Sequence, residues 1–343
     1  MLGKILESIY LKIFVNIIVK RASIDIYIES CSKKDVCQRD QKEFQVIKVN
    51  SDIIEYIHSF TKESPYSYIS ILDYSSTQGA IPTCDKSKLP TYKDLSISEY
   101  KCHNNSWTFF TSKSDLYDIE KTFEKIGVDF VFSPFSILDH FFKDKIESHI
   151  ALYAIIQDSF VSLCVFEFGE LRYADHLDLQ HSEDTPEDML LLESVEDDDE
   201  ELDFSNDGGI DLEDVDVIDD MEVLDDFGNI EELDSLEEID EFSENKDIEE
   251  EFYEADEVIA ESDDEEFNED YQRFYLIQSS LGHYYSDSRF KSDFIENIYI
   301  ADGIGVSRDL KRYLEDEMFL NVYIRHVELS AEICELAKLE LNI

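Results

Sequence analysis

Basic residues are scarce in this chain. Lys and Arg number 29 against 82 Asp and Glu, a formal charge of −53 over 343 residues. A protein that grips nucleic acid through its phosphates needs a cationic surface, so direct nucleic-acid binding is not expected. An anionic lipid surface repels the chain for the same reason. Long apolar runs are also missing. Near the N-terminus the apolar stretches 5–6, 9–11, 13–15 and 17–19 are interrupted by Lys4, Glu7, Lys12, Asn16 and Lys20. Nothing approaches the ~20 apolar residues of a membrane span, and no small-residue cleavage site follows. This stretch reads as a buried helix or strand of a first domain, with a basic amphipathic helix on a membrane as the alternative. Cysteine pairs are missing as well. Cys31, Cys37, Cys84, Cys102, Cys164 and Cys334 include no Cys-x-x-Cys and no finger-like spacing, so no metal site is expected. Without a signal peptide the thiols are expected to be reduced.

The charge that is present is localised. Residues 183–270 hold 44 acids and a single base, Lys246. The rest of the chain has 38 acids and 28 bases, an ordinary balance for a globular protein. Alternate residues of an extended chain are roughly 7 Å apart, inside the Debye length of about 8 Å, so repulsion within the stretch survives physiological salt. Residues 183–268 are therefore expected to be mostly disordered. Ile210, Val215, Leu224, Phe227 and Leu236 recur among the acids. The stretch reads as a solvated spacer, or as bait that folds against a basic, apolar partner.

Elsewhere the pattern is mixed α/β. Strands are expected at 23–28, 44–49, 68–74, 107–111 and 128–132. Helices are expected from Ser51 to about 58, from Ser114 to 126 and over 135–142. Residues 80–104 read as a long loop. Residues 150–179 read as a three-stranded meander. Beyond the acidic stretch come a helix over 271–285, a strand at 294–301, a helix capped by Ser307, a short strand at 321–324 and a terminal helix at 330–340. The strand pattern resumes after the acidic stretch, so that stretch is expected to be an insertion.

The turn between strand 294–301 and the Ser307 helix contains Gly303 and Gly305. Glycines allow close backbone approach, and a helix N-terminus offers free N–H groups at the positive end of its dipole. Gly303, Gly305 and Ser307 are thus a candidate anion or nucleotide cradle, although such glycines also serve turns. Asp129, Asp139, Asp158, Asp175 and Asp302 lie at strand ends or on helix faces, and spacing identifies no His or Lys partner for acid–base work.

The meander at 151–179, Ser-Leu-Gly-His-Tyr-Tyr at 280–285 and Ile-Tyr-Ile-Ala-Asp-Gly-Ile-Gly at 298–305 resemble the second domain of actin-like (ASKHA) proteins. They are most similar to PilM of type IV pili and the cytoplasmic part of GspL of type II secretion. Val-Asp-Phe-Val-Phe-Ser-Pro-Phe-Ser at 128–136 resembles the strand and helix that close the first domain. The resemblance implies an actin-like (ribonuclease H-like) two-domain α/β fold, with residues 1–149 as the first domain, residues 150–182 plus 269–343 as the second, and 183–268 as the acidic insertion.

It also implies a cytoplasmic scaffold, peripheral at the inner membrane, of a type II secretion, type IV pilus or DNA-uptake machine. Such a scaffold binds the cytoplasmic tail of a membrane assembly protein, and a motor ATPase is a further partner. The phosphate-binding hairpin turn of nucleotide-hydrolysing relatives carries Asp-x-Gly. Here the turn is Gln157, Asp158, Ser159 and Phe160, without glycine, and no glycine lies near residues 21–25. The expected site is therefore a vestigial nucleotide site of Asp158, Gly303, Gly305 and Ser307, with no catalytic residue and no cofactor. An actin-like ATPase binding ATP and Mg²⁺ is the alternative. A module that binds cations or basic proteins through the acidic stretch is a further one.

Overall fold

Lys12–Val19 (β1), the interrupted apolar stretch near the N-terminus, is the middle strand of a five-stranded sheet. Ile13, Val15 and Ile17 are buried on one face and Phe14 and Ile18 on the other. A strand covered on both sides is apolar on both faces and shows no alternation, and a buried helix can look the same, which is why the sequence did not decide between helix and strand. The computed structural model describes residues 10–32, 35–179, 264–290 and 292–342, all within one compact unit.

The first sheet contains β1, Ile24–Ser32 (β2), Asp35–Phe44 (β3), Tyr66–Leu72 (β4) and Phe130–Phe132 (β8), in the order β3-β2-β1-β4-β8. β2 runs antiparallel to β1 and to β3, whereas β4 and β8 are parallel to their neighbours. Helix α1 (Ser51–Thr61) starts at Asn50, not Ser51, because the Asn50 side chain accepts from the Ile53 N–H at 3.0 Å. Ser112, not Ser114, caps α3 (Lys113–Thr122) in the same way.

Residues 80–104 are not one long loop. They supply most of Gly79–Ile81 (β5), the short helix α2 (Leu89–Tyr92) and Ser98–His103 (β6). With Trp107–Ser112 (β7) these strands form a three-stranded sheet in the order β5-β7-β6. The strand expected at 44–49 lies earlier, as β3, whose largely polar sequence is held by pairing along β2 at the sheet's edge. The helices Pro134–Phe141 (α4) and Lys143–Ile146 (α5) follow β8.

The second sheet repeats the first. It contains Ala151–Ile156 (β9), Phe160–Glu167 (β10), Glu170–Asp178 (β11), Asn297–Asp302 (β12) and Asn321–His326 (β13), in the order β11-β10-β9-β12-β13. Again the first three strands are antiparallel and the last two parallel. An order of third, second, first, fourth and fifth strand with the second reversed is the ribonuclease H-like sheet. Two copies in one chain make the actin-like fold, as the resemblance implied. Because β9 pairs with β12, the chain before and after the acidic stretch builds one sheet. The expected disorder over 183–268 falls outside the described residues, except that α6 (Asp264–Ser286) begins at residue 264 instead of 271. A run of Asp and Glu suits the positive end of a helix dipole, a local preference masked by the overall charge count.

The helices α1 and α3 cover the outer face of the first sheet. Helix α6 and helix α7 (Arg308–Asp316) cover that of the second. The facing sides share one core with α4 and the terminal helix α8 (Leu329–Glu340), joining Phe14, Leu72, Leu138, Tyr153, Phe166 and Ile333. Burying each such side chain contributes about 1.5–3 kcal/mol, so this shared core binds the two sheets together.

Candidate functional site

The first hairpin turn of each sheet reaches toward the other. β1 turns into β2 through Lys20, Arg21 and Ala22, and β9 turns into β10 through Gln157, Asp158 and Ser159. The Arg21 N–H donates to Asp158 Oδ2 at 2.9 Å. The Arg21 guanidinium donates to Glu269 Oε1 at 2.7 Å. Glu269 Oε2 in turn accepts from Arg273 at 2.7 Å, and Arg273 also donates to Asp270 at 2.7 Å. Asp270 and Arg273 are buried, and the start of α6 carries both. Partial burial disfavours the charged form of Glu269, but the hydrogen bonds and charges of Arg21 and Arg273 outweigh it and hold the carboxyl below its usual range.

The four residues singled out in the sequence gather at this end of the second sheet. Gly303 donates its N–H to the Ile156 carbonyl at 3.1 Å. A Cβ on Gly303 would meet Gln157 Nε2, beside Asp158, at 2.7 Å and the Ile156 carbonyl oxygen at 3.2 Å, so this glycine lets strand pack closely on turn. Gly305 has φ +81°, a left-handed conformation that glycine adopts without strain.

The N–H groups of the loop are already engaged. Asp302 Oδ1 accepts from Ile304 and Gly305 at 3.0 and 2.8 Å, and its Oδ2 accepts from Val306 at 2.9 Å. The Ser307 N–H donates to Asp270 Oδ2 at 3.2 Å, while Ser307 Oγ accepts from Asp309 N–H at 3.0 Å and caps α7. The amides that would hold an anion therefore face the chain's own carboxylates.

A cavity of about 270 Å³ opens beside this junction, between Asp25 and Glu43 of the first sheet and Gln157, Gly303 and Glu328. Lys20 lies in its wall but is paired with Glu43 at 3.1 Å. Asp25 is raised above its usual range by burial, against the lowering hydrogen bond from Gln41. Three carboxylates around so small a space oppose a polyphosphate. Sequence reasoning missed Arg21, Glu269 and Arg273. The available signal was the spacing of Glu269, Asp270 and Arg273, which suits i,i+3 and i,i+4 pairing on a helix.

A second concavity, about 640 Å³, lies between the three-stranded sheet and the first sheet with α8. Phe109, Phe130, Phe132, Leu336 and Leu339 line it. Its rim carries the ion pair Lys101–Glu340 at 2.7 Å and two histidine–carboxylate contacts, His103–Asp139 at 2.9 Å and His140–Glu332 at 3.2 Å. Spacing had given Asp139 no histidine partner; β6 brings His103 to it across 36 residues. The thiols expected to be free are partly paired. Cys84 and Cys102 form a disulfide with Cα atoms 5.5 Å apart. The spacing of 18 residues gave no sign of this, because β7 sets the distance between the two cysteines by pairing with both β5 and β6.

No curated protein matches the chain by sequence. Solved structures do resemble it. A Bacteroides thetaiotaomicron protein with actin-like ATPase fold and unknown function has 10% identity, with 91% of this chain and 90% of that one covered at a TM-score of 0.42. A PilM–PilN type IV pilus biogenesis complex has 10% identity, with 91% and 87% covered at 0.44. The ethanolamine utilization protein EutJ from Carboxydothermus hydrogenoformans has 9% identity, with 92% and 84% covered at 0.35. The fold assignment rests on the duplicated strand order. One family, described as Domain of unknown function (DUF8569), matches residues 10–139. A second matches residues 152–342, more than half of the sequence and including the Gly303 loop, and the chain belongs to that family, described as Domain of unknown function (DUF8341).

Proposed function

We propose that this protein is a non-catalytic actin-like scaffold of an inner-membrane type IV pilus, type II secretion or DNA-uptake machine, with a degenerate nucleotide site. Residues 1–149 and residues 150–182 with 269–343 act as one docking body at the cytoplasmic face of the membrane. The observation that carries this reading is the bridge from Arg21 to Asp158 and Glu269. In an actin-like cleft the two first hairpins face the phosphates. Here protein groups join them, and Asp302 and Asp270 take up the neighbouring N–H donors. The assignment to a membrane-bound machine rests on the resemblance of the motifs at 128–136, 280–285 and 298–305, an argument from fold and not from chemistry.

The groove between β6, β8 and α8 is the docking place for a partner's cytoplasmic tail. Its aromatic and leucine floor takes apolar side chains, and its paired rim orients polar ones. Among the described residues no helix is long and apolar enough to cross a membrane; on this reading such a partner supplies the peripheral location. A motor ATPase is a further partner of the same body.

The glycine turn followed by a capped helix favours a second reading, an ATP-binding actin-like protein. Titration calorimetry with ATP and Mg²⁺ separates the two. The scaffold reading expects no heat and no thermal shift, and micromolar binding would overturn it. A synthetic peptide of the cytoplasmic tail of a pilus or secretion membrane protein encoded beside this chain is expected to bind at the groove.

A further inference from the structure

The three-stranded sheet has a small core of its own. Among the described residues it consists of the buried Ile81, Leu89 and Phe110, with Tyr92 and Leu95 packed against them, whereas Trp107 of β7 joins the shared core instead. So small a core does little to hold an excursion that leaves β5, makes α2 and returns as β6. The Cys84–Cys102 disulfide closes that excursion with a separation of 18 residues. Of its two cysteines Cys102 is exposed and Cys84 half-buried. Of the four free cysteines Cys31, Cys164 and Cys334 are buried and Cys37 is exposed.

We infer that Cys84 and Cys102 are a redox-modifiable site that exchanges with external dithiols, and that its state sets the order of the chain between β5 and β6. The step balances as thiol–disulfide exchange. A thiolate of the dithiol attacks Cys102 Sγ, the sulfur of the exposed cysteine. The Cys84–Cys102 bond breaks as the mixed disulfide forms, and Cys84 leaves as a thiolate that takes a proton from water. The second sulfur of the reductant then attacks its own mixed-disulfide sulfur and releases Cys102. Two electrons and two protons pass to the pair, and the dithiol becomes a cyclic disulfide.

Two neighbours extend the effect. Arg289 donates to the Tyr92 carbonyl at 3.1 Å and the rings of Tyr92 and Phe290 lie 6.1 Å apart, so the excursion also rests on the segment after α6. Cys102 and His103 form part of the wall of the 640 Å³ groove. On the docking reading above, reduction therefore weakens tail binding. Exchange and chain order do not depend on that reading and are measured without it.

The test uses the full chain with dithiothreitol and an alkylating reagent, read by peptide mass. Before reduction Cys37 is expected to label while Cys84 and Cys102 do not. After mild reduction both of these label, and Cys31, Cys164 and Cys334 remain protected. The monothiol 2-mercaptoethanol, lacking a second sulfur, is expected to leave its adduct on Cys102. Tryptic cleavage after Lys86, Lys88 or Lys93 is expected to quicken by about tenfold or more on reduction. Labelling of Cys84 and Cys102 without reductant would overturn the inference, as would the adduct residing on Cys84 or an unchanged cleavage rate in the reduced protein. Cys84→Ser is expected to cleave as fast as the reduced wild type. The reduced wild type carries the test if that variant does not fold.

Discussion

The backbone N–H of Arg21 and the carboxylate of Asp158 meet at 2.9 Å, although 137 residues separate them in the chain. The contact joins equivalent turns of two sheets built on the same plan. The nearby ion pairs then give a graded test. Arg21 and Glu269 are each about two-fifths exposed, at 40% and 41%, and water screens such pairs to about 0.5 kcal/mol. Arg273 and Asp270 are 4% and 1% exposed, and removing one partner of a buried pair costs about 3–5 kcal/mol. Arg273→Ala is therefore expected to lower the chemical denaturation midpoint far more than Arg21→Ala. Equal effects would mean that the network does not hold the start of α6.

Gly303→Ala places a methyl group 2.7 Å from Gln157 Nε2 and 3.2 Å from the Ile156 carbonyl oxygen. Gln157 is buried, so its side chain has little room to yield. A loss of about 1–3 kcal/mol is expected, read by thermal unfolding. Gly305 has open space beyond its Cα, so Gly305→Asn, which tolerates the left-handed region, is expected to cost less.

Burial pushes the His176 imidazole down to about 4 from an ordinary 6.5, against the raising charge of Asp178. The ring packs 5.0 Å from Phe160 and its Nδ1 lies 2.8 Å from Ser162 Oγ. On acidification the unfolded chain takes up this proton first. The stabilisation is complete above pH 6.5 and is lost as pH falls toward 4, by about 3 kcal/mol at most. Denaturation of wild type and His176→Gln between pH 7 and 4.5 is expected to give a shallower slope for the variant. Parallel curves would contradict the assignment.

Leu339 is 57% exposed at the mouth of the larger groove. Leu339→Asp is expected to leave stability within about 0.5 kcal/mol. It is expected to weaken tail-peptide binding by about tenfold or more, measured by fluorescence anisotropy. Unchanged affinity would move the docking site elsewhere.

The sequence marked the second sheet clearly. Its central strands β9, β10 and β12 are short, largely apolar runs, and Gly303, Gly305 and Ser307 define the turn and cap that the structure contains. β3 was invisible because Asp35–Phe44 is mostly polar and becomes a strand through its pairing with β2. The three-stranded sheet hid behind Pro82, Pro90 and the polar residues around them, which read as loop. At the site, the glycines could be read but what their N–H neighbours bond to could not. Asp302 ends β12 immediately before the loop, but Asp270 and Arg21 arrive through tertiary contacts that no local spacing encodes.

The terminal helix α8 follows the last strand of the second sheet, yet its Lys338 pairs with the buried Glu29 of β2 in the first. Burial opposes the charge on Glu29, and Lys338, together with hydrogen bonds from Tyr27 and Cys31, more than restores it. During translation the first sheet must therefore wait, one face uncovered, until α8 has left the ribosome. A chain cut before Leu329 would leave that carboxylate without its lysine and expose the apolar face of β1, making the truncated product a substrate for chaperones and proteases.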